Sequence, residues 1–190
     1  MPDGGSIHAA IDFAVSFHRG QLRKDRRTPY ILHPLNVGRL LLESDLPEEY
    51  AIAGILHDTL EDTDAAPGDI EELFGAEVLA LVLAASEKDR AAPWKDRKLA
   101  TLHELSLAET RCLYVPCADK LDNMYTSQNQ IHLHGMSFWM RFGAPAGEQM
   151  WYYSSLADLF LRRLGDSPCR HLARELARVV RINFAGVLDE

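Results

Sequence analysis

The stretch AIAGILHDTLEDT, Ala51 to Thr63, decides how the chain is read. Its opening half is apolar or glycine on every side, the composition of a helix buried all round. Ionisable His57, Asp58, Glu61 and Asp62 follow directly, and such groups are costly in a buried segment unless something pairs with them. At helical spacing His57 lies above Glu61 and Asp58 above Asp62, so two pairs project from adjacent faces of one turn. Two readings stand at this level. Either the cluster gathers round a cation, with one pair holding it and the other handling protons, or HDTLEDT is a solvated helix end in which Asp62 or Thr63 caps the next helix at Ala66-Pro67.

Two further segments favour the cation. Upstream lie Arg23-Lys24 and then PYILHP, Pro29 to Pro34; downstream lies ADKLDN, Ala118 to Asn123, in a helical pattern introduced by Leu113-Tyr114-Val115. Together with the HD pair they supply His33, His57, Asp58 and Asp119, a two-histidine, two-carboxylate set drawn from three segments. Nitrogen and oxygen donors without a thiolate suit Mn²⁺, with Zn²⁺, Fe²⁺ or Mg²⁺ as other candidate occupants.

With HRGQLRK (His18 to Lys24), PYILHP, AGILHDTLEDT, FGAEV (Phe74 to Val78) and ADKLDN in unbroken order, the chain resembles the HD superfamily of metal-dependent phosphohydrolases. Within it the chain resembles the RelA/SpoT-like (p)ppGpp hydrolase domain in its stand-alone small form. The resemblance implies an all-α HD-domain helical bundle, with His33, His57, Asp58 and Asp119 as metal ligands and Glu61 with Asp62 as the acidic pair beside the metal-bound water. It makes Arg23 and Lys24 a basic pair near the nucleotide, and Asn123 and Thr126 polar ribose-phosphate contacts. The implied reaction is removal of pyrophosphate from the ribose 3′ position of (p)ppGpp; the alternative is an HD phosphohydrolase acting on another nucleotide or on a phosphorylated dinucleotide such as NADPH. Two departures bear on substrate. Asp25-Arg26-Arg27-Thr28 is longer than the common RKSGEP form, and ADKLDNMYT stands where ADRLHNMRT is usual. A narrower resemblance to stand-alone HD proteins runs through FWMRFGAPAGEQMWYYSSL, Phe138 to Leu156. There Trp139, Trp151, Tyr152 and Tyr153 surround Arg141, a pattern that reads as core or as a base-stacking wall.

At 190 residues the chain reads as a single HD hydrolase domain, residues 1–190, with 128–190 as a C-terminal helical extension packed on it. A net charge of −8 argues against nucleic acid as a partner, because backbone binding needs dense Lys/Arg patches. It leaves room for a small anionic nucleotide at the block Arg19, Arg23, Lys24, Arg26 and Arg27. No apolar run reaches membrane-spanning length and MPDGGSIHAA lacks the features of a leader, so a cytoplasmic location with no membrane partner is expected. Cys112, Cys117 and Cys169 lack zinc-finger spacing and read as small hydrophobes in a reducing compartment. The pattern leaves oligomeric state open.

Helix signals run almost throughout. Ser6 caps a helix to about His18, Pro34 opens one toward Leu42, and Pro47 starts the buried helix that ends in the HD pair. Further helices are expected over 67–74, 76–86, 93–104, 107–125, 146–164 and 168–184. Residues 128–143, with Gly135 and Gly143, read as an irregular excursion of lid length. His132 and His134 would then share one side of an extended segment. His8, His103 and His171 read as surface or partly buried residues, and His18, part of HRGQ, as a residue that makes a structural hydrogen bond.

Overall fold

A computed structural model describes residues 5–87 and 91–187. The fold is all-α, as expected: among the described residues β-pairing amounts to one isolated antiparallel bridge between Leu22 and Pro29. The chain forms two compact units. One runs up to Glu87 and takes in Arg111–Asp119; the other comprises the stretch ending at Thr110 and the chain from Lys120 onward. The unit that holds residues 128–187 therefore also includes a helix that precedes the ADKLDN segment.

In the first unit, α1 (Ile7–Phe17) starts where expected, because the Ser6 hydroxyl accepts a hydrogen bond from the Ala9 backbone N–H. Helix α2 (Leu32–Leu42) begins ahead of Pro34, which the first turn accommodates since its missing N–H has no helical partner there. The earlier start places His33 inside the helix. Helix α3 (Glu48–Leu56) follows Pro47 and is buried from Ala51 to Leu56, packing against α1, α2 and α5. After it come the single turn α4 (Thr59–Asp62) and α5 (Pro67–Ala85). Gly75 breaks α5 with φ 87°, so the two helices read from the sequence over this region meet at a kink.

The crossing of α2 and α3 sets the geometry of the site. A Cβ on Gly54 would lie 2.6 Å from Leu41 Cδ1 and 3.2 Å from Gly38 Cα and N, and one on Gly38 would lie 3.0 Å from the Ala51 carbonyl. The two helix backbones are thus nearly in contact, with glycine on both sides. We expect Gly54→Ala to cost about 1–3 kcal/mol through overpacking. Gly147→Ala, where the added methyl meets nothing within 4 Å, should change stability by less than about 1 kcal/mol. Urea denaturation of both variants checks this; equal shifts would mean that close approach is not what requires glycine at 54.

In the second unit, α6 (Trp94–Leu107) and α9 (Arg170–Asn183) pack against α8 (Ala146–Arg163). Helix α7 runs from Tyr114 to His134 after a 3₁₀ turn over Thr110–Leu113. This corrects the expected excursion over 128–143: the helix persists to Gly135, whose φ of 64° ends it, and a 3₁₀ turn continues to Arg141. Nothing from Ser127 to His134 is Gly or Pro, so no residue breaks the helix earlier. His132 and His134 are accordingly exposed helical residues rather than neighbours on an extended strand. Trp139 and Tyr152 are core, with Trp139 stacked on Phe184 at 4.4 Å between ring centroids. Trp151 is half-buried beneath the Lys95 ammonium, 3.4 Å from its ring centroid. Cys117 and Cys169 are buried, and all three cysteines are free. No described helix is long and apolar enough to cross a membrane.

Candidate metal centre

The first unit gathers His33, His57, Asp58 and Asp119. His33 comes from the first turn of α2, His57 and Asp58 from the link between α3 and α4, and Asp119 from α7. His57 and Asp58 keep right-handed helical angles between the two helices. Asp58 Oδ2 lies 3.1 Å from His57 Nε2 and 3.5 Å from His33 Nε2. Asp119 Oδ1 lies 3.2 Å from His33 Nε2 and 3.8 Å from His57 Nε2. One donor atom from each of His33, His57 and Asp58 falls within 4.8 Å of the others, the spread expected round a common ion.

The orientation of His57 tests whether the residues fit a cation. Its Nδ1–H donates to the Gly54 carbonyl at 2.8 Å, which leaves the lone pair on Nε2. That Nε2 is buried and makes no hydrogen bond of good geometry, despite the carboxylate beside it. A buried imidazole nitrogen facing two carboxylate oxygens and a second imidazole suits a divalent ion. Without one, burial lowers the His57 pKa, but the charges of Asp58 and Asp119 outweigh burial and hold it well above the usual range. Burial raises Asp58 and the facing imidazoles of His57 and His33 prevail, holding its carboxyl well below the usual range.

The alternative in which HDTLEDT is a solvated cap does not describe the structure. Helix α5 is capped at Ala66, whose N–H is taken by Asp69 Oδ2 at 2.9 Å. The Asp62 carboxylate instead receives the Tyr30 hydroxyl at 3.2 Å, and the same hydroxyl donates to Asp58 Oδ2 at 2.5 Å. Burial first, and then the Asp58 charge, push the Tyr30 phenol far above its ordinary pKa, so it remains a donor. Glu61 Oε1 accepts the Glu87 backbone N–H at 2.6 Å.

Arg23 and Lys24 sit at the foot of a loop closed by the Leu22–Pro29 bridge. The four residues Asp25 to Thr28 fold onto themselves: Asp25 accepts from the Thr28 hydroxyl at 2.6 Å and from the Arg27 and Thr28 N–H groups at 2.9 Å each. The Thr28 side-chain bond and these backbone bonds lower the Asp25 carboxyl to about 2. Arg23 is half-buried, its guanidinium 5.7 Å from the Tyr30 ring centroid, while Lys24 is exposed. Asn123 and Thr126 are half-buried on α7, four and seven positions beyond Asp119, in the second unit.

Residues 10–147 match the HD domain family. The chain belongs to that family. Among relatives of this HD domain, the human guanosine-3′,5′-bis(diphosphate) 3′-pyrophosphohydrolase MESH1 is 39% identical over 125 residues, covering 64% of this chain and 69% of that protein. Its Drosophila melanogaster counterpart is 37% identical over 117 residues, which span 60% of this chain and 65% of the relative. A guanosine-3′,5′-bis(diphosphate) 3′-pyrophosphohydrolase of Aquifex aeolicus is 38% identical over 63% of this chain, but only 17% of that longer protein is covered. Of solved structures, lmo0812 from Listeria monocytogenes superposes with TM-score 0.74 at 33% identity, over 80% of this chain and 99% of that one. The structure of a metazoan ortholog of SpoT that hydrolyses ppGpp matches with TM-score 0.70 at 27% identity, over 95% of this chain and 94% of that one.

Tyr30 is the site residue that sequence reasoning passed over. It sits in the PYILHP segment three residues before His33, and its carbonyl accepts the His33 N–H at 3.0 Å. Gln21 was also passed over. Its amide donates to the Asp62 carbonyl at 3.0 Å and its Oε1 lies 2.5 Å from His18 Nδ1, which gives His18 the structural hydrogen bond expected of it.

Proposed function

We propose that this HD domain is a metal-dependent hydrolase of guanosine polyphosphate alarmones, converting (p)ppGpp and water into GDP or GTP and pyrophosphate. The observation that carries the reading is the convergence of His33, His57, Asp58 and Asp119 with His57 Nε2 buried and unsatisfied. The activity of the MESH1 relatives, guanosine-3′,5′-bis(diphosphate) 3′-pyrophosphohydrolases, supports the substrate class.

The four residues would hold a divalent ion, and their nitrogen and oxygen donors suit Mn²⁺. Such an ion, when bound, polarises the phosphate and lowers the pKa of water from about 15.7 toward neutrality. The chain's own groups do the rest. Water attacks the phosphorus joined to the ribose 3′ oxygen; that phosphorus–oxygen bond breaks, and pyrophosphate departs. Asp62 and Glu61 take the proton from the water and return one to the 3′ oxygen. Arg23 and Lys24 neutralise the terminal phosphates, and Asn123 and Thr126 contact the ribose and its phosphate.

Charge-assisted contacts to phosphate are worth about 1.5–3 kcal/mol each. Arg23→Ala and Lys24→Ala should therefore raise KM for ppGpp by about tenfold or more with a smaller change in kcat, and with metal content intact. Salt should weaken parental binding through the same contacts. Steady-state kinetics with ppGpp, GTP and NADPH at low and high ionic strength, with phosphate and pyrophosphate measured separately, tests both points. Unchanged KM in both variants would return the pair to a solvated loop. Preference for NADPH would replace the alarmone as substrate.

A further inference from the structure

Tyr30 carries none of the roles assigned above, yet it touches three groups that do. Asp58 stands at the N-cap of α4, where an aspartate ordinarily accepts a hydrogen bond from the helix's own first N–H groups, and it makes no such bond. Its Oδ2, the oxygen nearest both imidazoles, is held by the Tyr30 hydroxyl at 2.5 Å. The same hydroxyl reaches Asp62 Oδ2 at 3.2 Å, and the Arg23 guanidinium lies 5.7 Å from the ring centroid.

We propose that Tyr30 is a positioning residue: its hydroxyl sets the Asp58 carboxylate toward the metal and keeps Asp62 in register with it, while its ring supports Arg23. The proposal rests on the metal-hydrolase reading above. With no capping bond from α4 to orient Asp58, the Tyr30 hydroxyl is the donor placed to keep its carboxylate turned toward the two imidazoles. Outer partners of this kind typically matter by about 10–100-fold in metal affinity or activity. The hydroxyl and ring functions are separable, because phenylalanine keeps the ring and leucine keeps neither.

The test is calorimetric titration of metal-stripped protein with Mn²⁺ alone, together with kcat and KM for ppGpp and a thermal melt. Tyr30→Phe should weaken Mn²⁺ binding by about 10–100-fold and lower kcat, leaving KM near the parental value. Tyr30→Leu should show the same losses and, in addition, a several-fold higher KM. Parental Mn²⁺ affinity and kcat in Tyr30→Phe would overturn the assignment, and a lowered melting temperature with both parameters retained would overturn it equally, by reducing Tyr30 to packing. If the parental protein does not hydrolyse ppGpp but Tyr30→Phe still loses Mn²⁺ affinity, the positioning role stands and the alarmone reading falls.

Discussion

His57→Ala and Asp119→Ala are each expected to lose the divalent ion, by more than the roughly 10–100-fold typical of removing an outer partner, and to lose hydrolysis with it. If the four residues hold an ion as proposed, taking one away would remove a donor and leave the others facing one another without a cation between them. Elemental analysis of the purified variants reads the effect directly, and full metal occupancy in both would end the assignment of this site. The metal-free state adds a pH signature. Asp58 and Asp119 hold His57 protonated well above the usual imidazole range. Metal must displace that proton, so Mn²⁺ affinity of the parental protein should fall as pH falls.

Glu61→Gln and Asp62→Asn should instead keep the metal and the fold while losing about 10²–10⁴-fold in turnover, the range for general acid–base catalysis. Each amide retains an oxygen for the contact seen in the structure: Glu61 Oε1 with the Glu87 N–H, and Asp62 Oδ2 with the Tyr30 hydroxyl. What the substitution removes is basicity. Single-turnover kinetics on metal-loaded protein separates this from a binding defect. Parental rates in both variants would leave the acidic pair as ties between segments and nothing more.

The contrast between these experiments follows from how the site is encoded. His57 and Asp58 were legible because they end an apolar run that no polar group enters without a partner. His33 and Asp119 were legible as candidate donors by residue type, and their assignment to the same site came from the order in which their segments recur in a known family, since neither is near the HD pair in sequence. Tyr30 was not legible from residue type. A tyrosine before a histidine-proline pair has no chemical signature until its hydroxyl is seen between two carboxylates that lie 28 and 32 residues further along the chain. The extent of α7 was misjudged for a related reason: polar residues with two nearby glycines read as a loop, but Gly135 terminates a helix that the polar residues tolerate.

Local chemistry therefore determined the helical class, the caps at Ser6 and Pro47, the buried character of α3 and the donor types offered to a metal. These are properties of neighbouring residues, and 3.6-residue periodicity exposes them in one dimension. The tertiary structure alone decided that Gly38 and Gly54 bring the α2 and α3 backbones together. It alone decided that the His57 ring turns its Nε2 inward, and that Tyr30 rather than a backbone N–H holds Asp58. Those outcomes depend on distances between segments far apart in the chain, which close packing settles once the apolar faces are buried together.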